Sequence, residues 1–287
     1  MTAIQTSVAP SSVRVTIDRF DEGTRCHTDD VLAIEEPLEI RLVWQVDGKR
    51  QQRSLSITMR TPGCDQELAA GFLFGEGIVQ HSSQVVRIAH CGPAVGEMGL
   101  RNVIKVELAE RIDLDWSRFE RNFHVTSSCG ICGKTSLEAV NRLGCTPPPM
   151  EFQIDPEILY ALPKRLRSEQ AIFDSTGGLH AAALFDQAGN LLAVREDVGR
   201  HNALDKLIGA EFLADRLPPT EPRILLLSGR ASFELLQKAT AAGIGIVAAI
   251  GAPSSLAVDL ARQSQITLVG FLRNGRCNVY CGPDRIR

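Results

Sequence analysis

A chain of 287 residues, 44% of them apolar and 23% charged, is long enough to bury one or two conventional cores, which excludes intrinsic disorder and a fibrous architecture. The 31 basic residues against 34 acidic ones leave a formal charge of −3, which argues against a chain given over to coating nucleic acid.

The first dozen residues are polar, with no basic region running into an apolar one, so no leader peptide is expected. The longest apolar stretch, at 243–252, is far short of the ~20 residues of a membrane helix and reads as a buried strand, so no membrane insertion is expected. Apolar residues recur at Leu38, Ile40, Leu42, Trp44 and Val46, Asp47-Gly48 follows, and Leu55, Ile57 and Met59 resume the alternation. This is the pattern of a hairpin with one buried face. A short helix is expected over 67–74, with the Phe72-Leu73-Phe74 cluster in the core, and further strands over 85–90 and 102–108. The first half thus reads as mainly antiparallel β, and its leading dozen residues as loose.

The only proline run, Pro147-Pro148-Pro149, marks the expected junction between a β-rich domain over 13–146 and a second domain over 147–287. Beyond it, a helical stretch is expected to end over 168–173, and strands over 179–185 and 191–197 flank a turn at 187–190. Strands over 224–227, 246–250 and 267–272 then alternate with helices over 202–214, 233–242 and 256–263, and Cys277 to Tyr280 can return as an antiparallel strand. The fold class is therefore α+β followed by α/β, the second part a mixed sheet with covered faces.

With no leader expected, eight cysteines point to reduced thiols in an expected cytoplasmic setting, where close-set pairs serve metal, redox or sulfur chemistry. Cys26, Cys64 and Cys91 read as packing residues, while Cys277 and Cys281 are ambiguous. The informative pair lies in Ser127-Ser128-Cys129-Gly130-Ile131-Cys132-Gly133-Lys134, just before a helical pattern over 135–142. Helix amides and the Lys134 ammonium both favour thiolate over thiol, and the glycines keep the sulfur accessible. Four uses stay open for the pair. It can be half of a structural zinc site, with His124 or Cys145 joining, although zinc needs four ligands and those spacings are irregular. It can be a redox dithiol, a nucleophilic sulfur that accepts and hands on a sulfur atom, or a turn without chemistry.

Three strand ends in the second half run into glycine- and arginine-bearing turns: Ser228-Gly229-Arg230, Gly251-Ala252-Pro253-Ser254-Ser255 and Arg273-Asn274-Gly275-Arg276. Ligands of open α/β sheets bind beyond such ends, and together the three suggest a phosphate-bearing ligand. Taken singly, each is as readily a simple turn. His180 or His201 can serve as a general base oriented by Asp197 or Glu196, although a structural histidine is the commoner case.

The thiol loop, Phe173 to His180, Arg195 to Lys206, Leu227-Ser228-Gly229-Arg230 and Phe271 to Arg276 followed by Val279-Tyr280 occur in register along nearly the whole chain. In this combination the sequence resembles the FdhD family of formate dehydrogenase accessory sulfurtransferases. The resemblance implies a sulfur carrier that takes persulfide sulfur from a cysteine desulfurase and passes it to the molybdenum cofactor, Mo-bis(molybdopterin guanine dinucleotide), destined for formate dehydrogenase. It implies Cys129 as the persulfide cysteine with Cys132 as its companion, and a cofactor-binding segment at Phe271, Leu272, Arg273, Asn274, Gly275 and Arg276. Gly229, Arg230 and Ser254 complete the expected binding surface. It also implies a homodimer and a cytidine-deaminase-like three-layer second domain. The H-x-E and P-C-x-x-C signatures of the zinc deaminases are absent from the sequence, so deamination is disfavoured and no resident metal is expected. A zinc-stabilised scaffold and a disulfide oxidoreductase are the competing functions.

Overall fold

The computed structural model describes residues 10–96, 98–109 and 152–287. The chain opens with a hairpin, β1 (Ser12–Asp21) and β2 (Thr24–Ala33), so the order begins earlier than expected. A second hairpin follows, β3 (Glu36–Val46) and β4 (Lys49–Arg60). The two-residue loops Glu22-Gly23 and Asp47-Gly48 have positive φ at both positions, the geometry that matches the right-handed strand twist. Then come α1 (Asp65–Gly75), a 3₁₀ turn (Ser82–Gln84), β5 (Val85–Cys91) and β6 (Val103–Leu108).

Strands β4-β3-β6-β5 form one sheet. Its buried face presents Leu38, Ile40, Leu42, Ile104 and Val106 to Leu68, Ala69 and Leu73 of α1. The mainly antiparallel arrangement expected here has one exception: β3 and β6 run parallel, because the chain crosses over through α1 and β5 before β6 inserts beside β3.

The second part begins with α2 (Pro156–Arg167), started by Asp155, whose carboxylate accepts from the Glu157 amide at 2.8 Å, and by Pro156 at the first helical position. The helix ends at Arg167 rather than continuing through 168–173, and a short α3 (Ala171–Thr176) follows. Then β7 (His180–Asp186), β8 (Leu191–Asp197), α4 (Arg200–Leu213), β9 (Arg223–Leu227), α5 (Phe233–Ala241), β10 (Ile246–Ala249), α6 (Ser255–Gln263), β11 (Thr267–Arg273) and β12 (Arg276–Cys281) complete the chain. The six-stranded sheet has the order β12-β11-β10-β9-β7-β8, with β9, β10 and β11 parallel and the outer pairings antiparallel.

Apolar residues alternate across this sheet, so it is covered twice. Leu204, Leu235 and Leu260 from α4, α5 and α6 pack on Leu225, Val247 and Leu268. Leu159, Leu162 and Leu166 of α2 pack on Leu226, Ala248 and Val269 of the other face. Among the described residues no helix is long and apolar enough to cross a membrane.

The two sheets are joined through α1 and α4, whose backbones nearly touch. A Cβ built on Gly71 falls 1.9 Å from the Asp205 carbonyl oxygen, and one on Gly209 falls 1.8 Å from that of Glu67. Only glycine permits that approach. Beside the crossing, Lys206 Nζ donates to the Thr61 carbonyl at 2.8 Å and pairs with Asp197 at 2.7 Å, all three residues buried. Asn202 donates to the Met59 carbonyl at 2.7 Å, and the Thr61 amide donates to Asp197 at 3.1 Å. The end of β4 is thereby tied to the end of β8.

Candidate functional site at the strand-end edge

Parallel β9, β10 and β11 end at the same edge of the sheet, and β7, antiparallel to β9, begins there. The edge therefore collects His180, the end of β8 with Asp197, Ser228-Gly229-Arg230, Ile250 to Ser254 and the β11–β12 hairpin. The helices α4, α5 and α6 all start at it, so their positive dipole ends face one region.

The loops along this edge are zipped to one another beyond the strands proper. The Ile250 amide donates to the Leu227 carbonyl at 3.0 Å, Gly251 to Gly229 at 2.9 Å, Ser254 to Ala231 at 3.0 Å and Phe271 to Gly251 at 3.1 Å. The Ser228 hydroxyl accepts from the Ala181 amide at 2.8 Å. Space is tight as well: a Cβ on Gly229 would lie 3.3 Å from His180 Nδ1, and one on Gly251 would lie 3.0 Å from the Gly229 carbonyl oxygen. A preformed main-chain platform results, with the His180 ring packed over Gly229 and the Arg230 stem over Gly251.

Above it project cations. Arg230, Arg273 and Arg276 are exposed and form no ion pair within the described residues, whereas Arg60, Arg195 and Arg216 elsewhere are each held by a carboxylate. Arg273 and Arg276 are directly opposed across the β11–β12 pair. Like charges so placed repel, which an anion between them would reverse. The intervening Asn274-Gly275 has positive φ at both residues and fixes the hairpin.

Not every expected contact residue can act through its side chain. Leu272 is fully buried in the core beneath α2, so it can offer a ligand only backbone. Phe271 is half-buried and holds a positive φ of 52°, where the strand pairing is irregular. The Ser254 hydroxyl accepts from the Ala257 amide at 3.2 Å and caps α6.

The carboxylates expected to orient a histidine base are engaged elsewhere. Asp197 is held by Lys206, Thr61, Gly199 and Asn202, and Glu196 accepts from the Ile172 and Phe173 amides at 3.1 and 2.9 Å. Burial, reinforced by Arg200 and opposed by Asp197, pushes the His180 pKa below its ordinary value. His201 is also pushed down, by burial first. Both imidazoles are thus biased toward the neutral form.

Cys129 and Cys132, with His124, Cys145 and the Pro147-Pro148-Pro149 junction, lie outside the described residues. Cys26 and Cys64 are exposed rather than packed, and Cys91 is half-buried. Surrounding atoms partly desolvate the sulfurs of Cys277, Cys281 and, although the residue as a whole is exposed, Cys64, where the Glu67 carboxylate adds to the effect; all three thiols are pushed up, so none has an environment that makes a thiolate. Sequence reasoning passed over the buried Lys206–Asp197–Thr61 tie and the place of Arg200 at the edge. Apart from Thr61, these residues lie in the polar segment 195–206, whose density of charge was their one local signal.

The sequence profile described as the FdhD/NarQ family matches residues 33–287. The chain belongs to the FdhD/NarQ family. Among its relatives are proteins named sulfur carrier protein FdhD. That of Streptomyces avermitilis is 50% identical over 274 residues, covering 93% of both chains. That of Mycobacterium tuberculosis is 49% identical over 262 residues, covering 90% of this chain and 92% of the relative. A crystal structure from Desulfotalea psychrophila, described as a formate dehydrogenase accessory protein, shares the fold with a TM-score of 0.72 at 26% identity, covering 97% of this chain and all of that one. The FdhD/NarQ fold is therefore the mixed α/β arrangement described above.

Proposed function

We propose that this protein is a sulfur carrier in formate dehydrogenase maturation. The observation that carries the reading is its membership of a family whose relatives, at about half identity over nine-tenths of the chain, are named sulfur carriers. The cationic, glycine-floored edge supports an anionic acceptor for the sulfur.

The chemistry follows from the thiol loop. The Cys129 thiolate, favoured by the Lys134 ammonium and by the helical pattern the sequence carries over 135–142, attacks the outer sulfur of a persulfide on a cysteine desulfurase. One S–S bond forms and one breaks, the desulfurase leaves as its thiolate, and Cys129 carries a persulfide with no net redox change. Cys132 stands as the companion thiol that can resolve or relay it. The acceptor is the molybdenum cofactor in its bis(molybdopterin guanine dinucleotide) form, a substrate rather than a resident group. Its pyrophosphates suit Arg230, Arg273 and Arg276 above the Gly229 floor, with Asn274, Gly275 and the main chain of Phe271 and Leu272 shaping the hairpin that presents them. The finished cofactor goes to formate dehydrogenase, in the cytoplasm, from a homodimer.

The test is mass spectrometry of the full chain after incubation with a cysteine desulfurase and cysteine. Wild type should gain sulfur that reductant removes, and Cys129→Ala should gain none. An alanine variant with the same sulfur load that still activates formate dehydrogenase refutes the assignment, as does stoichiometric zinc held on the Cys129–Cys132 pair.

A further inference from the structure

Helices α5 and α6 each start behind a serine, yet the two serines behave differently. Ser254 accepts from the Ala257 amide and caps α6. Ser232 holds the extended backbone of a capping residue, φ −93° and ψ 165°, but its hydroxyl caps nothing. It lies instead 3.4 Å from Nε2 of His201, on the first turn of α4. The amides of Glu234 and Leu235, which a serine in that place ordinarily satisfies, have no carbonyl to reach within the helix.

The same Nε2 has a second neighbour. The Glu234 carboxylate also lies at 3.4 Å, so one ring nitrogen faces an oxygen that can donate a proton and an oxygen that, ionised, can only accept one. A neutral ring with a bare Nε2 suits the hydroxyl, and a charged ring suits the carboxylate. The two helices form a ladder around this contact. His201 and Asp205 stand one turn apart on α4, and Glu234 and Lys238 stand one turn apart on α5. The inner rung, Lys238 to Asp205 at 2.8 Å, is buried, with Glu76 at the end of α1 3.9 Å from the same ammonium. The outer rung, His201 to Glu234, is half-exposed, so solvent protons reach it. Burial comes first in keeping the His201 ring neutral, Arg200 of α4, Lys238 of α5 and His180 of β7 add to it, and Glu234 opposes it.

We infer that His201 is a pH-operated latch between α4 and α5: neutral, its Nε2 accepts from the Ser232 hydroxyl; protonated, it donates to Glu234 and releases Ser232 to cap α5. The proton comes from solvent, and no covalent bond changes. Ser232 closes the loop that carries Gly229 and Arg230, so this proton decides whether the end of that loop is fastened to α4 or to its own helix. The latch goes beyond the proposed function and does not rest on it.

Burial pushes the inner carboxyl, Asp205, up to about 6 against the pull of Lys238, so the measurement must be read at His201 itself. The experiment is an NMR titration of the full chain carrying isotope-labelled histidine, from pH 8 to pH 5, with the His201 signal identified by its loss in His201→Gln. Neutral His201 should carry its proton on Nδ1, leaving Nε2 to accept. Ser232→Ala removes the donor to the neutral ring and should raise the proton affinity of His201 about threefold. Glu234→Gln removes the acceptor from the charged ring and should lower that affinity about threefold. A general loosening of the helix starts would not move the two variants in opposite directions. If Ser232→Ala does not fold, Ser232→Gly takes its place, because glycine is tolerated at a helix start and also lacks the hydroxyl. Neutral His201 protonated on Nε2 overturns the latch, as does a ring that stays neutral down to pH 5. Shifts of the same sign in the two variants, or a serine variant that titrates as wild type does, overturn it as well.

Discussion

Replacing Gly209 by alanine tests the joint between the two sheets. The added Cβ would fall 1.8 Å from the Glu67 carbonyl oxygen and 2.8 Å from the Gly71 amide nitrogen, both main-chain atoms of α1 that cannot rotate away. Ordinary contacts to carbon lie near 3.5 Å, so the helices must part by roughly 1.5 Å. Parting them loosens the Phe74–Phe212 ring contact, now 5.4 Å between centroids, and strains the Thr58–Asn202 hydrogen bond at 3.1 Å. Overpacking against adaptable side chains costs about 1–3 kcal/mol, and a backbone-limited site belongs at the top of that range or beyond it. Alanine's better helix propensity returns about 1 kcal/mol. The net loss should be about 2–3 kcal/mol, or roughly 3–5 °C in melting temperature for a chain of this size. Urea and thermal unfolding followed by circular dichroism measure it. A Gly209→Ala protein as stable as wild type, or more stable as propensity alone predicts, refutes the close crossing. Gly71→Ala should behave alike, and the double variant should lose less than the sum, because one opening relieves both clashes.

Asp197→Ala leaves the Lys206 ammonium buried without its carboxylate, so it should cost about 3–5 kcal/mol in urea unfolding, with Lys206→Met in the same chain restoring part of the loss; a single variant within error of wild type removes the tie from the account. Burial pushes the Asp65 carboxyl up, but hydrogen bonds from His90 and Arg60 outweigh it and hold the group below its ordinary value. The unfolded chain therefore binds the proton more tightly, so this stabilisation is complete above the unfolded value near pH 4 and disappears as the pH falls through the folded one. Asp65→Asn should lower stability at pH 7 and flatten the acid limb of a stability profile taken from pH 7 to pH 3; an unchanged limb places the acid sensitivity elsewhere.

Much of the secondary structure was legible because local physics fixes it. Alternation from Leu38 to Val46, Asp47-Gly48 and the βα repeats after His180 state their own conformation within a few residues. Val13, Val15 and Ile17 do alternate with Arg14, Thr16 and Asp18, but β2 carries no matching apolar run and both strands are largely exposed, so the first hairpin was missed. The parallel β3–β6 pairing was missed because register between strands some 60 residues apart leaves no local mark. At the edge, arginines and glycines suggested an anion site by composition. That Leu272 points into the core and the Ser254 hydroxyl caps a helix depended on strand register and cap geometry.

Alone, the order of residues determined the elements, the thiol pair at 129 and 132 and the kinds of side chain available for chemistry, since those depend on neighbours a few positions away. Tertiary structure decided which charges are spent and which are free. Asp197 and Arg200 stand three residues apart in one polar segment, yet folding gives the first four partners and leaves the second, among the described residues, without a carboxylate. The reason is distance: pairing energies act over a few ångströms, and only the folded chain brings Lys206 and Thr61 within that range of one and leaves the other facing the edge.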